Sequence, residues 1–465
     1  MELLKLNQAA KGCGGILKEV NGEKFLRGVS IDSRNINQDF LFFALKGTKC
    51  NGQIFAQDAI KNGAVCCVVD HTFNNYNNLP IIVVENTLEA LKNLAEFYRS
   101  LFTVFVIGVT GSVGKTSTKD MIALVLSKKY KTLKTEGNYN SCIGLPLTVF
   151  NMESNVEAAV FEMGMSNFGE LSNLSKISKP DSAVITNIGM SHIENLKTKE
   201  NILKAKLEIF DNISPDGFAV LNGDNKKLWE IRENISIETV YYGISNSECD
   251  ILASNVNLYS NHTEFTIKLD GLDYQVKINE PGLHFVYAAL AAVSIGIRYD
   301  IATENIIQGV LEFVSGHMRQ NIITTKDFVL IEDCYNANPD SMNAAINVLV
   351  QLSQPNNQNI KRKRSVAVLG DMLELGDFAT LEHEKLGKKV FECEISFLIL
   401  VGNYASIIAE SAISYGFNKK NIKIFKSSSE AKKHIIDFLN KGDVVLFKGS
   451  RGMKIEEIIN EVKKF

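Results

Sequence analysis

Val104-Phe105-Val106-Ile107-Gly108-Val109-Thr110-Gly111-Ser112-Val113-Gly114-Lys115-Thr116-Ser117-Thr118 is the stretch whose reading decides the fold. An apolar, β-branched run stops in a glycine-rich turn, Lys-Thr follows, and an amphipathic run begins near Met121. Strand, glycine loop and helix in that order form the layout of a phosphate-binding loop. Glycines let the backbone approach phosphate oxygens with its N–H groups turned inward. Lys115 is placed to reach the β and γ oxygens, and the Thr116 hydroxyl to ligate Mg²⁺. The spacing departs from G-x-x-x-x-G-K-[ST], because Val109 stands where the first glycine belongs and Gly108 comes one residue early. A chance glycine-rich βα turn is the competing reading; the strand before and the helix after argue against it.

Outward from the loop, β and α runs alternate. Residues 29–34 and 40–47 are strand-like, 56–62 helical, 64–70 and 81–84 strands, and 87–98 a helix with Leu88, Leu91, Leu94 and Ala95 at helical spacing. A polar stretch at 71–78 reads as a loop. Strand-like runs recur at 158–162, 182–187 and 217–222 with a helix over 198–209, which predicts a mainly parallel sheet with helices on both faces. Residues 240–269 alternate polar and apolar and predict an antiparallel appendage. An alanine-rich helix over 285–297 closes that region. From 314 the pattern restarts, with strands at 328–333, 365–370, 397–401 and 444–447 and a helix over 341–352. The expected fold is α/β in three domains: a smaller N-terminal α/β domain (1–100), a central P-loop ATP-binding domain (101–313) and a C-terminal Rossmann-like domain (314–465).

The 465 residues suit about three domains, each able to bury its own core. A net charge of -3 gives no electrostatic reason to expect nucleic acid or an anionic membrane as partner. The basic cluster Lys361-Arg362-Lys363-Arg364 reads as part of a solvated loop. The first residues lack a signal-peptide pattern, and the longest apolar run, 288–297, is about half a bilayer span. Eight scattered cysteines with no C-x-x-C pair argue against zinc and disulfides, and a cytoplasmic location is the expectation.

Several clusters outside the loop carry chemistry. Glu162 ends the run Ala158-Ala159-Val160-Phe161, so its carboxylate lies where open α/β sheets hold ligands and can meet the cation of Thr116; strand-end glutamates are also common for no such reason. His192 follows the strand end Thr186-Asn187-Ile188-Gly189, and reads equally as a site residue or a satisfied structural group. Lys206, in Lys204-Ala205-Lys206-Leu207-Glu208, reads on pattern alone as a surface lysine with an intrahelical ion pair. Asp333-Cys334-Tyr335-Asn336-Ala337-Asn338-Pro339-Asp340 opens a helix after a strand; it suits nucleotide contacts, and ordinary capping and turn chemistry explains it as well.

Taken together these residues resemble the Mur ligases, in which the extra residue of the phosphate loop is normal. Gly111-Ser112-Val113-Gly114-Lys115-Thr116 with Thr118-Lys119-Asp120 is similar to the type that adds D-alanyl-D-alanine. So are Asn138-Tyr139-Asn140, Ile143-Gly144-Leu145-Pro146-Leu147-Thr148, Glu162-Met163-Gly164-Met165-Ser166, the Asp333–Pro339 cluster and Gly370-Asp371-Met372-Leu373-Glu374-Leu375-Gly376. The resemblance implies an ATP-dependent amide ligase joining D-alanyl-D-alanine to UDP-N-acetylmuramoyl-tripeptide through an acyl phosphate, and a monomer. It implies ATP on Gly108, Thr110, Gly111, Ser112, Val113, Gly114, Lys115, Thr116 and Ser117, with Arg319, Asp333, Tyr335 and Asn336 from a mobile last domain. It implies two Mg²⁺ sites on Thr116, Glu162 and His192, with a carbamylated Lys206 as a further oxygen ligand, and Lys115, Lys206, His192 and Arg319 as catalytic groups. Substrate contacts are implied for Ser30, Asp32, Ser33, Arg34, Lys46, Asn138, Asn140, Ser166, Asn338, Lys448, Ser450 and Arg451.

Three departures stand out. Asn51-Gly52-Gln53 replaces the family's Asp-Gly-His, which bears on the uracil side. His284-Phe285-Val286-Tyr287-Ala288 replaces His-Asn-x-x-Asn-Ala, so Phe285 or Tyr287 is expected to stack on adenine in place of an amide. Ser141 stands where a second asparagine is common. The rival readings are a MurE-type ligase, for which the Asp-Asn-Pro-Arg segment is missing, a folylpolyglutamate synthase, and a non-ligase P-loop NTPase, which leaves the second doubly wound domain without a purpose.

Overall fold

The computed structural model describes residues 1–47, 50–74, 78–316, 318–354 and 362–465. They pack as two compact units: Met1–Thr110 with Lys129–Val184 and Ala205–Ala219, and Gly111–Lys128 with Ile185–Lys204 and Val220–Phe465.

In the first unit a five-stranded sheet runs Ile16–Lys18, Ile81–Val84, Ala64–Asp70, Phe40–Phe43, Gly28–Ser30. Only the Ile16–Lys18 edge is antiparallel to its neighbour. The central strand reads Ala-Val-Cys-Cys-Val-Val-Asp without alternation, as a strand covered on both faces must, and Cys66 through Val69 are fully buried. The helix Thr87–Arg99 starts at Asn86, whose Oδ1 accepts the N–H groups of Leu88 and Glu89 at 2.9 and 3.1 Å. It ends at Arg99, whose guanidinium donates to the carbonyls of Ser178, Phe102 and Val104 and so fixes the approach to the strand Phe105–Thr110. That strand, Ala158–Glu162 and Thr132–Lys134 lie side by side in that order, all parallel.

In the second unit the helix Lys115–Leu126 packs against Leu283–Arg298 and Thr303–Leu311. The approach is close enough that a Cβ on Gly309 would lie 2.8 Å from Val125 Cα. Strands Phe218–Asn222, Glu238–Gly243, Ile251–Leu258, Thr263–Leu269 and Leu272–Ile278 follow one another across the sheet. The antiparallel appendage is present, but it begins at Ile251 rather than at 240: Glu238–Gly243 pairs in parallel with its neighbour. Alternation marks a half-buried strand and does not say which way its neighbour runs.

The last sheet has six strands in the order Asn321–Thr324, Val329–Glu332, Val444–Lys448, Ser365–Gly370, Phe397–Val401, Ile422–Phe425, parallel except at the Asn321–Thr324 edge. Both edge strands are only four residues long and each carries a polar residue, which hid them in the sequence. The described members of the basic cluster, 362–364, lie in a loop with Lys363 exposed, as expected, and its two arginines are tied down by ion pairs. Arg362 pairs with Glu394 at 2.7 Å, while Arg364 pairs with Asp443 at 3.0 Å and covers the Phe397 ring at 4.7 Å. Lys361, with 355–360, and 75–77 of the polar loop lie outside the described residues. No helix among the described residues is long and apolar enough to cross a membrane.

Candidate active site

The strand Phe105–Thr110 feeds into Gly111 at φ +150°, and Gly114 at φ +80° begins the helix. A Cβ at Gly111 would fall 1.8 Å from Thr186 Oγ1, so only glycine fits. At Gly114 the space a Cβ would fill is open, and no side chain caps the helix. An uncapped helix start beside an open left-handed turn suits an anion, because first-turn N–H groups lack carbonyl partners in their own helix. Lys115 folds back over the loop, its Nζ donating to Gly111 O at 2.8 Å. Gly108 lies inside the strand instead, where a Cβ would come 3.0 Å from Met163 Cε, and Thr110 Oγ1 donates to Met163 O at 2.8 Å. Ser117 sits in the helix's first turn.

The segment after the strand Ser182–Ile185 braces the loop. Asn187 accepts the Val113 N–H on its side chain at 2.9 Å and the Ser112 N–H on its carbonyl at 3.1 Å. Ser112 Oγ accepts the Gly189 N–H at 2.8 Å, and Ser191 Oγ donates to Ser112 O at 2.9 Å. His192 follows in the left-handed region (φ 60°), with Nδ1 at 2.7 Å from Glu374 Oε2. That contact holds the Glu374 carboxyl below its ordinary range, despite partial burial. A carboxylate on one ring nitrogen is how metal-ligating histidines are commonly oriented. Sequence reading missed Glu374 as a partner of His192, although it had marked the Gly370–Gly376 motif.

In the first unit, Glu162 is in register with Val109, beside the strand end that runs into the loop, and is buried. Asn140 Nδ2 donates to its Oε1 at 2.7 Å, so Asn140 orients this carboxylate, while Asn138 offers its carbonyl to the Asn140 N–H. The Ser166 N–H is taken by Glu170 at 2.7 Å. Lys206 is 2% exposed, which overturns its reading as a surface lysine: helical spacing alone does not reveal which face packs inward. Two residues on, Glu208 caps the helix Glu170–Ser178 through the Gly169 N–H at 2.8 Å. Ser141 Oγ accepts the N–H groups of Ile143 and Gly144 at 3.4 and 3.3 Å.

In the last domain the Arg319 guanidinium stacks over the Tyr335 ring at 4.1 Å. Lys448, almost wholly buried, sets its Nζ 2.7 Å from Asp333 Oδ2 and 3.3 Å from Asn336 O. Ser450 Oγ donates to Ala337 O at 3.3 Å and accepts the Leu373 N–H at 2.8 Å, and Arg451 pairs with Glu456 at 3.1 Å. Lys448 and Ser450 therefore support the Asp333–Asn338 loop from beneath. Asn338 caps the helix Pro339–Ser353, its Oδ1 accepting the Ser341 N–H at 2.9 Å.

The N-terminal residues form a separate group. Arg34 chelates Asp32 through Nε and Nη2 at 2.9 and 2.8 Å, and those bonds draw the Asp32 carboxyl down to about 2. Ser30 Oγ accepts the Asp32 N–H at 3.1 Å, and Ser33 O accepts from Asn62. Lys46 bridges to Asn51, whose side chain accepts the Gln53 N–H at 3.1 Å. Near the start of Leu283–Arg298, Phe285 is core, packed on Phe313 at 5.4 Å, and offers no face to a base. Tyr287 is half-buried and donates its hydroxyl to Asp224 at 2.9 Å. The His284 ring lies 4.2 Å from that of Phe285; burial first, then Lys448, outweighs Asp333 and pushes it down to about 4.

Among the described residues no three His, Cys, Asp or Glu side chains converge into a cage for a metal ion. The Thr116 hydroxyl in the first turn of its helix and the strand-end Glu162 carboxylate are each hard oxygen donors of the kind Mg²⁺ takes.

Comparison with known proteins adds the following. Three models match in order: the Mur ligase family catalytic domain at 26–99, the Mur ligase middle domain at 109–296, and the Mur ligase glutamate ligase domain at 318–451. The UDP-N-acetylmuramoyl-tripeptide--D-alanyl-D-alanine ligase of Bacillus subtilis (strain 168) is 38% identical, over 94% of this chain and 93% of its own. A crystal structure of MurF from Acinetobacter baumannii superposes with a TM-score of 0.91 at 29% identity, covering both chains fully. MurF from Thermotoga maritima in complex with ADP gives 0.82 at 27%, over 94% of this chain and 97% of that one.

Proposed function

The chain belongs to the Mur ligase family, and we infer that it is the member joining D-alanyl-D-alanine to UDP-N-acetylmuramoyl-tripeptide, with ATP cleaved to ADP and phosphate, in building the peptidoglycan precursor. The observation that carries this reading is the uncapped, doubly glycine-turned loop at Gly111–Thr116, set in a chain that aligns over 94% of its length with a ligase of that name. A tripeptide carboxylate oxygen attacks the γ-phosphorus and ADP leaves, giving an acyl phosphate. The dipeptide amine then attacks the acyl carbon, sheds a proton, and phosphate leaves with the former carboxylate oxygen.

We assign Lys115 and the loop backbone to the β and γ phosphates, and Gly108 to packing of the strand behind them. Arg319, stacked on the Tyr335 ring, is assigned to the nucleotide, and Asp333 and Asn336 present polar groups beside it, held there by Lys448. Thr116, Glu162 and His192 are the residues we assign to two Mg²⁺ ions, whose charge neutralises the phosphate oxygens as negative charge builds on them. Lys206 is assigned a carbamate: its amine adds to CO₂ and releases a proton, so that a buried cation becomes a buried anion with oxygens to offer a hard cation. Ser30, Asp32, Ser33, Arg34 and Lys46 are assigned to the UDP end, where the Asp32–Arg34 chelate presents a preformed guanidinium plane. We assign Asn138, Asn140, Ser166, Asn338, Ser450 and Arg451 to the peptide substrates, with Asn140 and Asn338 acting through Glu162 and Ser191. Domain limits of 1–100, 101–313 and 314–465 are proposed on the same basis.

The acyl-phosphate route is tested by labelling the terminal tripeptide carboxylate with ¹⁸O. One label per turnover must appear in the released phosphate; unlabelled phosphate would contradict the route.

A further inference from the structure

We propose that Ser191 is a positioning residue for phosphoryl transfer: its hydroxyl ties the phosphate loop to the last domain, so that the loop takes its working geometry only with that domain docked. The proposal rests on the ligase reading. A serine hydroxyl has one proton to give and lone pairs to receive. The proton goes to the carbonyl of Ser112, at 2.9 Å, and the lone pair takes Asn338 Nδ2 of the last domain, at 2.6 Å. The amide cannot be turned the other way, because Asn338 Oδ1 is needed for the Ser341 N–H at 2.9 Å. Ser112 is not a bystander: its N–H and Oγ are already fixed by Asn187 and Gly189, leaving its carbonyl as the remaining backbone handle on the loop.

The segment around Ser191 is gripped from the last domain on both sides. Asp340 Oδ2 accepts the Met190 N–H at 3.3 Å and sits so close to Gly189 that a Cβ there would lie 1.9 Å away. Beyond His192, whose Nδ1 meets Glu374, the Glu194 N–H donates to Glu374 O at 3.2 Å. The start of the helix Pro339–Ser353 and the loop carrying Glu374 therefore clamp residues 189–194, and Ser191 passes that restraint to the phosphate loop. A contact that merely glued two domains together would alter melting temperature and leave ATP usage untouched.

The test is a double-variant cycle in the full-length enzyme, with ATP varied at saturating tripeptide and dipeptide substrates. Ser191→Ala is expected to lower kcat/KM for ATP about tenfold, the scale of one lost positioning bond, with an unchanged melting profile. Asn338→Asp keeps the helix cap but replaces the donor with an acceptor that draws the Ser191 proton from Ser112; it is expected to cost about the same. If the aspartate variant does not fold, Asn338→Ser, which also keeps a capping oxygen, takes its place. The double variant should be no worse than either single one, since both break the same link. Wild-type kcat/KM in Ser191→Ala, or losses that multiply in the double variant, would overturn the proposal. The same cycle read as ADP affinity by calorimetry needs no acyl substrate, so a failed ligase reading is told apart from a failed Ser191 role.

Discussion

At the scale of single residues, types were legible and partners were not. Lys115, Thr116, Glu162 and His192 stand out as candidates because each lies at a strand's carboxyl end or in the segment that follows it, a position any reader of β and α periodicity can locate. Nothing in that periodicity says that Asn140 reaches Glu162, that Glu374 reaches His192, or that Lys448 lies under Asp333, since those pairs are separated by many residues and by whole elements. Lys206 is the sharpest instance: its neighbours spell a surface helix, yet the side chain is buried. If it carries a carbamate, ¹³C-labelled bicarbonate should give a carbamate carbon resonance that disappears in Lys206→Arg; a resonance shared by both would point to another amine. His284 yields a pH prediction. Its folded pKa of about 4 lies below the ordinary value of 6.5, so between those limits the unfolded chain takes up a proton that the folded chain refuses. Stability is therefore present above about pH 6.5 and lost as pH falls toward 4. Melting temperature should drop less steeply across that window in His284→Gln than in wild type; equal slopes would remove His284 as a cause.

At the scale of elements, the long buried strands and capped helices were readable because composition and caps agree with burial. Ala64–Asp70, Ser365–Gly370 and Pro339–Ser353 came out where apolar runs and an Asn-Pro start put them. The edges were not readable: Asn321–Thr324 and Ile422–Phe425 are only four residues each and pair on one side. The expected aromatic stack on adenine failed at Phe285 for a related reason, since a helix apolar on most faces leaves no signal for which aromatic stays in the core. The strand Val444–Lys448 offers a test of how an element supports a loop. Lys448→Met removes the cation from Asp333 and leaves that carboxylate unpaired in a mostly buried place. A loss of about 3 kcal/mol of stability is expected, as for breaking one side of a buried pair. Chemical denaturation measures it; a loss under about 1 kcal/mol would mean solvent replaces the lysine.

At the scale of the molecule, three α/β domains were legible because glycine loops, capped helices and fresh strand patterns restart the count twice along the chain. The odd loop spacing, a misfit to the general phosphate-loop pattern, was the most informative feature, because it separates this family from other nucleotide-binding folds. The docking of the last domain on residues 189–194 was not legible, because those residues meet it through backbone N–H groups, one serine hydroxyl and one imidazole, none of which leaves a pattern in the sequence. The central claim is that this molecule spends ATP to join a dipeptide to a nucleotide-linked tripeptide. The most direct measurement is phosphate release from ATP and Mg²⁺ with UDP-N-acetylmuramoyl-tripeptide, with and without D-alanyl-D-alanine. Sustained release only when the dipeptide is present, one phosphate for each pentapeptide formed, is the predicted result; turnover that ignores the dipeptide, or that prefers a single amino acid, would contradict it.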